Sequence, residues 1–218
     1  MDGTTGLTSS TLGKKYLMGF TGVLLFGFVV GHMAGNLQIY LGAEIYNAYA
    51  HKLQSLGPLL WLVRAVLLSI VGVHILVAFQ LWLRNRASRP VKYRVFNPPA
   101  VDYAAKTMIL SGPIIGLFIV YHLADFTIGW ANPDFIRGDV YHNVISSFQV
   151  PWIAGIYILA NFLLAIHLYH GLWSLFQTFG WDHARFSGLR RGVAIAFALL
   201  IGAGNISMPL AVLTGVVR

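Results

Sequence analysis

Five apolar runs, each long enough to cross a bilayer, constrain this chain more than any other feature. A membrane-crossing helix needs about 20 mostly apolar residues. Residues 16–40, 59–83, 105–128, 150–176 and 192–216 all satisfy that length. Composition agrees: 57% of the 218 residues are hydrophobic and only 10% are charged, whereas soluble domains carry about 25% charged residues. So much apolar surface excludes a soluble enzyme, a disordered chain, collagen and a coiled coil. Backbone polar groups inside lipid must be satisfied within their own segment, so each run is read as a helix. The run from Tyr16 is longer than a signal-peptide core of about 7–15 residues and reads as a span, not a cleaved leader. The expected fold is all-α: a polytopic membrane protein with five transmembrane helices in one bundle, a single domain over 1–218.

Charge sets the expected direction. Lys14 and Lys15 precede the first span, and Arg84, Arg86, Arg89, Lys92, Arg94 and Lys106 lie between the second and third. With Arg185, Arg190 and Arg191 between the fourth and fifth, eleven basic residues fall on one side. Lys52, Arg64, Arg137 and Arg218 fall on the other, with Glu44, Asp125, Asp134 and Asp139. Basic excess marks the cytoplasmic side. The N-terminus is therefore expected in the cytoplasm and the C-terminus outside. The net charge of +8 reads as topology and affinity for anionic lipid, not nucleic-acid binding. The absence of cysteine excludes disulfides, thiolate-bound zinc and iron–sulfur clusters held by this chain.

The connections have their own character. Residues 41–57 read as a short amphipathic helix on the outer surface, ended by Gly57-Pro58. The basic 84–104 stretch, broken by Pro90, Pro98 and Pro99, reads as an irregular loop able to dock a partner. Residues 129–149 read as an outer loop turning at Asn132-Pro133.

Five of the eight histidines lie inside apolar runs: His32, His74, His122, His167 and His170. Titratable groups in a bilayer are costly and face the bundle interior. At 1.5 Å per residue, His32 and His122 sit roughly 23–24 Å from the inner ends of the first and third spans. His74 and His167 sit roughly 13–14 Å from the inner ends of the second and fourth. Depth therefore pairs His32 with His122 near the outer face and His74 with His167 near the inner face. Two imidazoles facing each other at one depth can clamp a planar metal macrocycle from both sides. That leaves no open coordination position and suits electron transfer. Two such clamps, roughly 10 Å apart along the membrane normal, make a wire. Gly27, Gly31 and Gly35 near His32, Gly72 near His74, Gly112 and Gly116 near His122, and Gly171 near His167 would make room for flat groups. The same glycines are equally readable as ordinary helix-packing positions, and the histidines as interhelical hydrogen-bonding groups. His170, one turn from His167, is either an alternative ligand or a partner for a macrocycle carboxylate.

These residues resemble the cytochrome b subunit of succinate:quinone oxidoreductases, in the five-helix, two-haem form called the b558 family. The likeness rests on Gly31-His32-Met33-Ala34-Gly35-Asn36-Leu37, on the run from Arg64 to His74, and on Tyr121-His122-Leu123. His167-Leu168-Tyr169-His170-Gly171-Leu172-Trp173-Ser174 completes it, and the resemblance extends from about Lys14 to Thr214. It implies two haems b with axial iron ligands His32 and His122 (outer) and His74 and His167 (inner). It also implies menaquinone as redox partner. Partner flavoprotein and iron–sulfur subunits would perform succinate dehydrogenase or fumarate reductase chemistry, in a respiratory complex of the bacterial cytoplasmic membrane that can assemble further.

Other residues are read two ways. Glu44, Asn47 and His51 are either an outer quinone site exchanging protons or a solvated helix face. Lys15, Tyr16, Trp173 and His183 are either an inner quinone site or interfacial anchors. Arg64 and Tyr121 are candidate contacts to outer haem propionates, Arg64 alternatively a snorkelling charge. Asp125 either orients polar groups beside the outer pair or simply ends its helix. Two further readings stand: a cytochrome b anchor for another respiratory dehydrogenase, or a haem-free transporter or structural bundle.

Overall fold

A computed structural model describes residues 10–88 and 103–218, the side chains of 103–106 excepted. Seven α-helices build the described chain: α1 (Thr11–Asn36), α2 (Ala43–Gln54), α3 (Pro58–Ala87), α4 (Tyr103–Leu123), α5 (Val140–Gln149), α6 (Pro151–Thr178) and α7 (Ser187–Leu213). Helices α1, α3, α4, α6 and α7 are long and apolar enough to cross a membrane, so the fold is that of a multi-pass helical membrane protein. Local chemistry sets their ends. Ser10 caps α1 by accepting from the Gly13 amide at 2.9 Å, and proline opens both α3 and α6. Proline suits that position because its missing N–H has no partner there in any case.

The long helices face outward with side chains that water would punish. Leu110, Leu117 and Val120 stand exposed along one stripe of α4, spaced as one face of a helix. Such a surface is stable only against lipid.

Helix α7 packs most extensively on α6, α3 on α1, and α4 on α6. The α6–α7 seam is made of small residues. Ala194 and Ala198 are buried, and a Cβ at Gly202 would lie 3.0 Å from that of Ala165. Across the α1–α3 seam, the buried Lys14 ammonium donates to the Gln80 carbonyl.

The C-terminal end of the bundle carries a cap. A 3₁₀ turn (Leu37–Leu41), α2, α5 and the tail of α7 enclose a core of Ile39, Tyr46, Val144, Phe148 and Val212. The 41–57 expectation matches α2 and its end at Gly57, whose φ of +53° leads into Pro58. The expected 129–149 loop is corrected: its second half is α5, capped by Asp139. The turn residues there masked a helical spacing of Val140, Val144, Ile145 and Phe148. Span three also ends differently, in a π turn over Ala124–Ile128. The 84–104 docking loop falls mostly outside the described residues. Its start continues α3, where Arg84 reaches the Thr11 hydroxyl at 3.5 Å and Arg86 lies over Trp82.

Candidate functional site: two histidine pairs

His32 on α1 and His122 on α4 meet with ring centres 5.7 Å apart; His74 on α3 and His167 on α6 meet at 6.4 Å. These are the pairs that depth alone gives. Each ring is held differently. The His74 Nδ1 lies 2.9 Å from the Thr21 hydroxyl oxygen. That hydroxyl's proton is directed at the Leu17 and Met18 carbonyls, which leaves its lone pair to accept from the His74 ring. The ring also lies against Gly22, whose Cβ position is 3.6 Å from the His74 Cε1. His32 has the Asn36 amide 3.1 Å from Nε2 and stacks on Phe28. His122 lies in an aromatic cage of Phe118, Phe126 and Tyr157.

Two buried imidazole nitrogens have no hydrogen-bond partner among the described residues. His122 Nδ1 and His167 Nδ1 are buried without a hydrogen bond, as is the Tyr121 hydroxyl. Buried polar atoms are nearly always satisfied, and leaving one bare costs about 1–3 kcal/mol.

The geometry suits a metal group with two axial imidazoles. Metal–imidazole bonds run about 2.0–2.1 Å, so two rings held by one metal would have centres roughly 6.3 Å apart, close to the 6.4 Å of His74 and His167 and longer than the 5.7 Å of His32 and His122. The space around the rings fits too. A Cβ at Gly27, Gly31, Gly72, Gly112 or Gly171 would meet nothing within 4 Å. These glycines therefore do not serve close helix packing, as the alternative reading has it. Gly35 does, because a side chain there would run into Tyr49. No group of three or more His, Cys, Asp or Glu side chains suited to a bare metal ion occurs among the described residues.

One turn beyond His122, the π turn buries Asp125 completely. Its carboxylate accepts from Ser147 on α5 and Tyr157 on α6, both at 2.7 Å. Asp125 is therefore not a plain helix-end acid: it ties three elements together beside His122. Its three-residue spacing from His122 was the only sequence signal.

The remaining candidates separate. Asn47 is a clasp: its amide donates to Asp139 and its carbonyl accepts from the Tyr141 N–H, each at 2.9 Å. The His142 backbone N–H, the Asn47 amide and nearby histidines hold the Asp139 carboxyl below its usual range. Glu44 and His51 stay exposed on α2, and the His51 ring lies beside Gly138, next to the Asp139 that Asn47 bonds. Burial, and then Tyr49, push the Tyr46 hydroxyl up to about 12, as it donates to Asn36 at 2.9 Å.

At the other end, Lys15 is exposed and Tyr16 packs against Phe179. Trp173 lies under the Arg190 guanidinium, which bonds the Trp181 carbonyl at 2.8 Å and pairs with Asp182. His183 is exposed and accepts from the Arg185 amide. Trp173 and His183 thus serve the turn between α6 and α7. His170 follows His167 by one turn on α6.

Near the His32–His122 pair, Arg64 lines a cleft of about 240 Å³ with Trp61, Phe126, Phe135 and Arg137. Its guanidinium lies over the Trp61 ring at 5.0 Å. Sequence reasoning missed Arg137, which belongs to the loop before α5 and has no periodicity to mark it.

Fold and site together define a multi-pass helical membrane protein with two facing histidine pairs at two depths. No family model matches the chain, and no curated protein or solved structure is significantly similar to it.

Proposed function

We propose that this chain is a di-haem membrane anchor. It passes electrons across the bilayer between a soluble dehydrogenase docked at its N-terminal end and a quinone. The supporting observation is the meeting of His32 with His122 and of His74 with His167, with buried ring nitrogens left unbonded. A haem held in each pair supplies one-electron transfer with no open position for oxygen.

The chain's own residues do the rest. His32 and His122 hold one group, and His74 and His167 the other. Thr21 holds the His74 ring through Nδ1, as outer-shell partners of metal-bound histidines do. The glycines keep the space flat, while the apolar helices exclude water. The Asp125 knot holds α4 at the rotation that brings His122 to His32.

Following the resemblance, the soluble partners are a flavoprotein and an iron–sulfur subunit of succinate dehydrogenase or fumarate reductase. The quinone is menaquinone and the membrane is a bacterial cytoplasmic one, with the basic N-terminal end inside. Reduced-minus-oxidised spectra of the purified protein are expected to resolve two b-type components. A colourless preparation refutes the reading. Co-purification with a dehydrogenase of another substrate keeps the haems and replaces the partner.

A further inference from the structure

We infer that the cleft at the N-terminal end of α3 is an oxyanion site, in which Arg64 and Arg137 hold the negatively charged head of an amphiphile inserted between the start of α3 and the segment that follows α4. Arg64 stands six residues inside the start of α3, roughly 9 Å along the helix. A cation at that position is costly without a partner. Yet no acidic side chain lines the cleft, and a second cation, Arg137, comes into it from the outer loop. The nearby acid Asp139 is turned to Asn47 and the His142 amide. The ion pair formed among the described residues is at the opposite end, between Arg190 and Asp182. Two like charges gathered in one cleft favour an anion.

The walls fit an amphiphile. Trp61, Phe126 and Phe135 give apolar faces below and beside the two guanidiniums. The placing of Arg137 is built in. Gly129 turns with φ +84°, and the Phe135 ring packs against it so closely that any Cβ there would collide at 2.5 Å. That packing draws the loop over the cleft. Phe126 joins the cleft to the outer histidine pair, its ring 5.5 Å from that of His122. Guanidinium binds carboxylate and phosphate alike through paired N–H bonds. The head can therefore be a carboxylate of a tetrapyrrole seated between His32 and His122, or the phosphate of a membrane lipid. The first source rests on the di-haem reading; the second does not.

The test uses the full protein in nanodiscs of phosphatidylcholine containing phosphatidylglycerol, as parent, R137Q, R137E and the double variant R64Q/R137Q. Native mass spectrometry counts retained phosphatidylglycerol, and redox titration reads each b-type component. With a lipid phosphate in the cleft, the double variant loses a bound phosphatidylglycerol. With a tetrapyrrole carboxylate there, the outer component titrates at lower potential, because a cation stabilising the more negative reduced form is gone. The inner component stays put. R137E enlarges either change. Arg137 lies in an exposed loop, so R137Q and R137E carry the test if the double variant fails to insert. Unchanged lipid retention together with unchanged potentials overturns the inference. A colourless parent sinks the di-haem reading alone, and lipid retention then decides the cleft.

Discussion

The cap at the C-terminal end and the middle of the bundle treat polar groups in opposite ways. In the cap, Asn36, Asn47, Asn132, Asn143 and Asp139 each bond a named partner, and the Tyr141 hydroxyl reaches the Arg218 carbonyl at 2.8 Å. In the middle, ring nitrogens of His122 and His167 are buried and unbonded. Cap polarity is spent on folding. The midsection keeps one ring nitrogen each of His122 and His167 that no described residue satisfies, whereas His74 and His32 are tied to Thr21 and Asn36. Asp125 lies at the border, and its buried bonds to Ser147 and Tyr157 join the two regions.

The sharpest way to break this contrast is at the pairs. Replacing His32 or His122 with Ala is expected to abolish one b-type component entirely, and His74 or His167 the other. Loss of both components from any one change, with folding intact, would mean the pairs are not separate sites. Spectra of each variant decide it.

Asp125→Leu comes next. It strands two buried hydroxyls, at about 2–3 kcal/mol, so thermal unfolding in detergent should shift down strongly while Asp125→Asn recovers part. An unchanged melt would mean the border knot is idle.

Thr21→Ala is subtler. Removing an outer-shell partner weakens metal affinity about 10–100-fold. Haem is expected to dissociate faster from the inner pair alone, and Thr21→Ser should restore it.

The smallest effect belongs to the cap. Asp139→Ala removes the α5 cap, worth about 1 kcal/mol. The folded-state carboxyl is held below its ordinary range. The stability it lends is therefore complete above that range and lost as pH falls through the folded value, below about 4. Melts of the parent should soften on acidification there, and those of the variant should show less of that slope.

Much of this was legible beforehand because it is one-dimensional. Span positions follow from runs of apolar residues, and histidine depth follows from counting along helices, so the two pairs could be read off. What escaped depends on where side chains turn. Asn47 shares a face with His51 by spacing, yet its bonds go to Asp139 and Tyr141. Trp173 reads as an interfacial anchor or a quinone contact, and spacing gave no sign that its ring lies under Arg190. Helix α5 was hidden by the turn residues ahead of it, although Asp139 followed by an apolar i, i+4, i+8 stripe was there to find. Arg137 lay in a loop, where only packing, through Gly129 and Phe135, decides direction.

The α6–α7 seam has a consequence for colour. Helix α7 offers no histidine, but its Ala and Gly edge lets α6 nestle close and so governs how far α6 can swivel. His167 rides on that swivel. A bulky graft at position 202 would lever α6 away from its neighbour and misaim an imidazole it never touches. If the proposed haem is there, a stave without a histidine would steer the absorption of the one beside it.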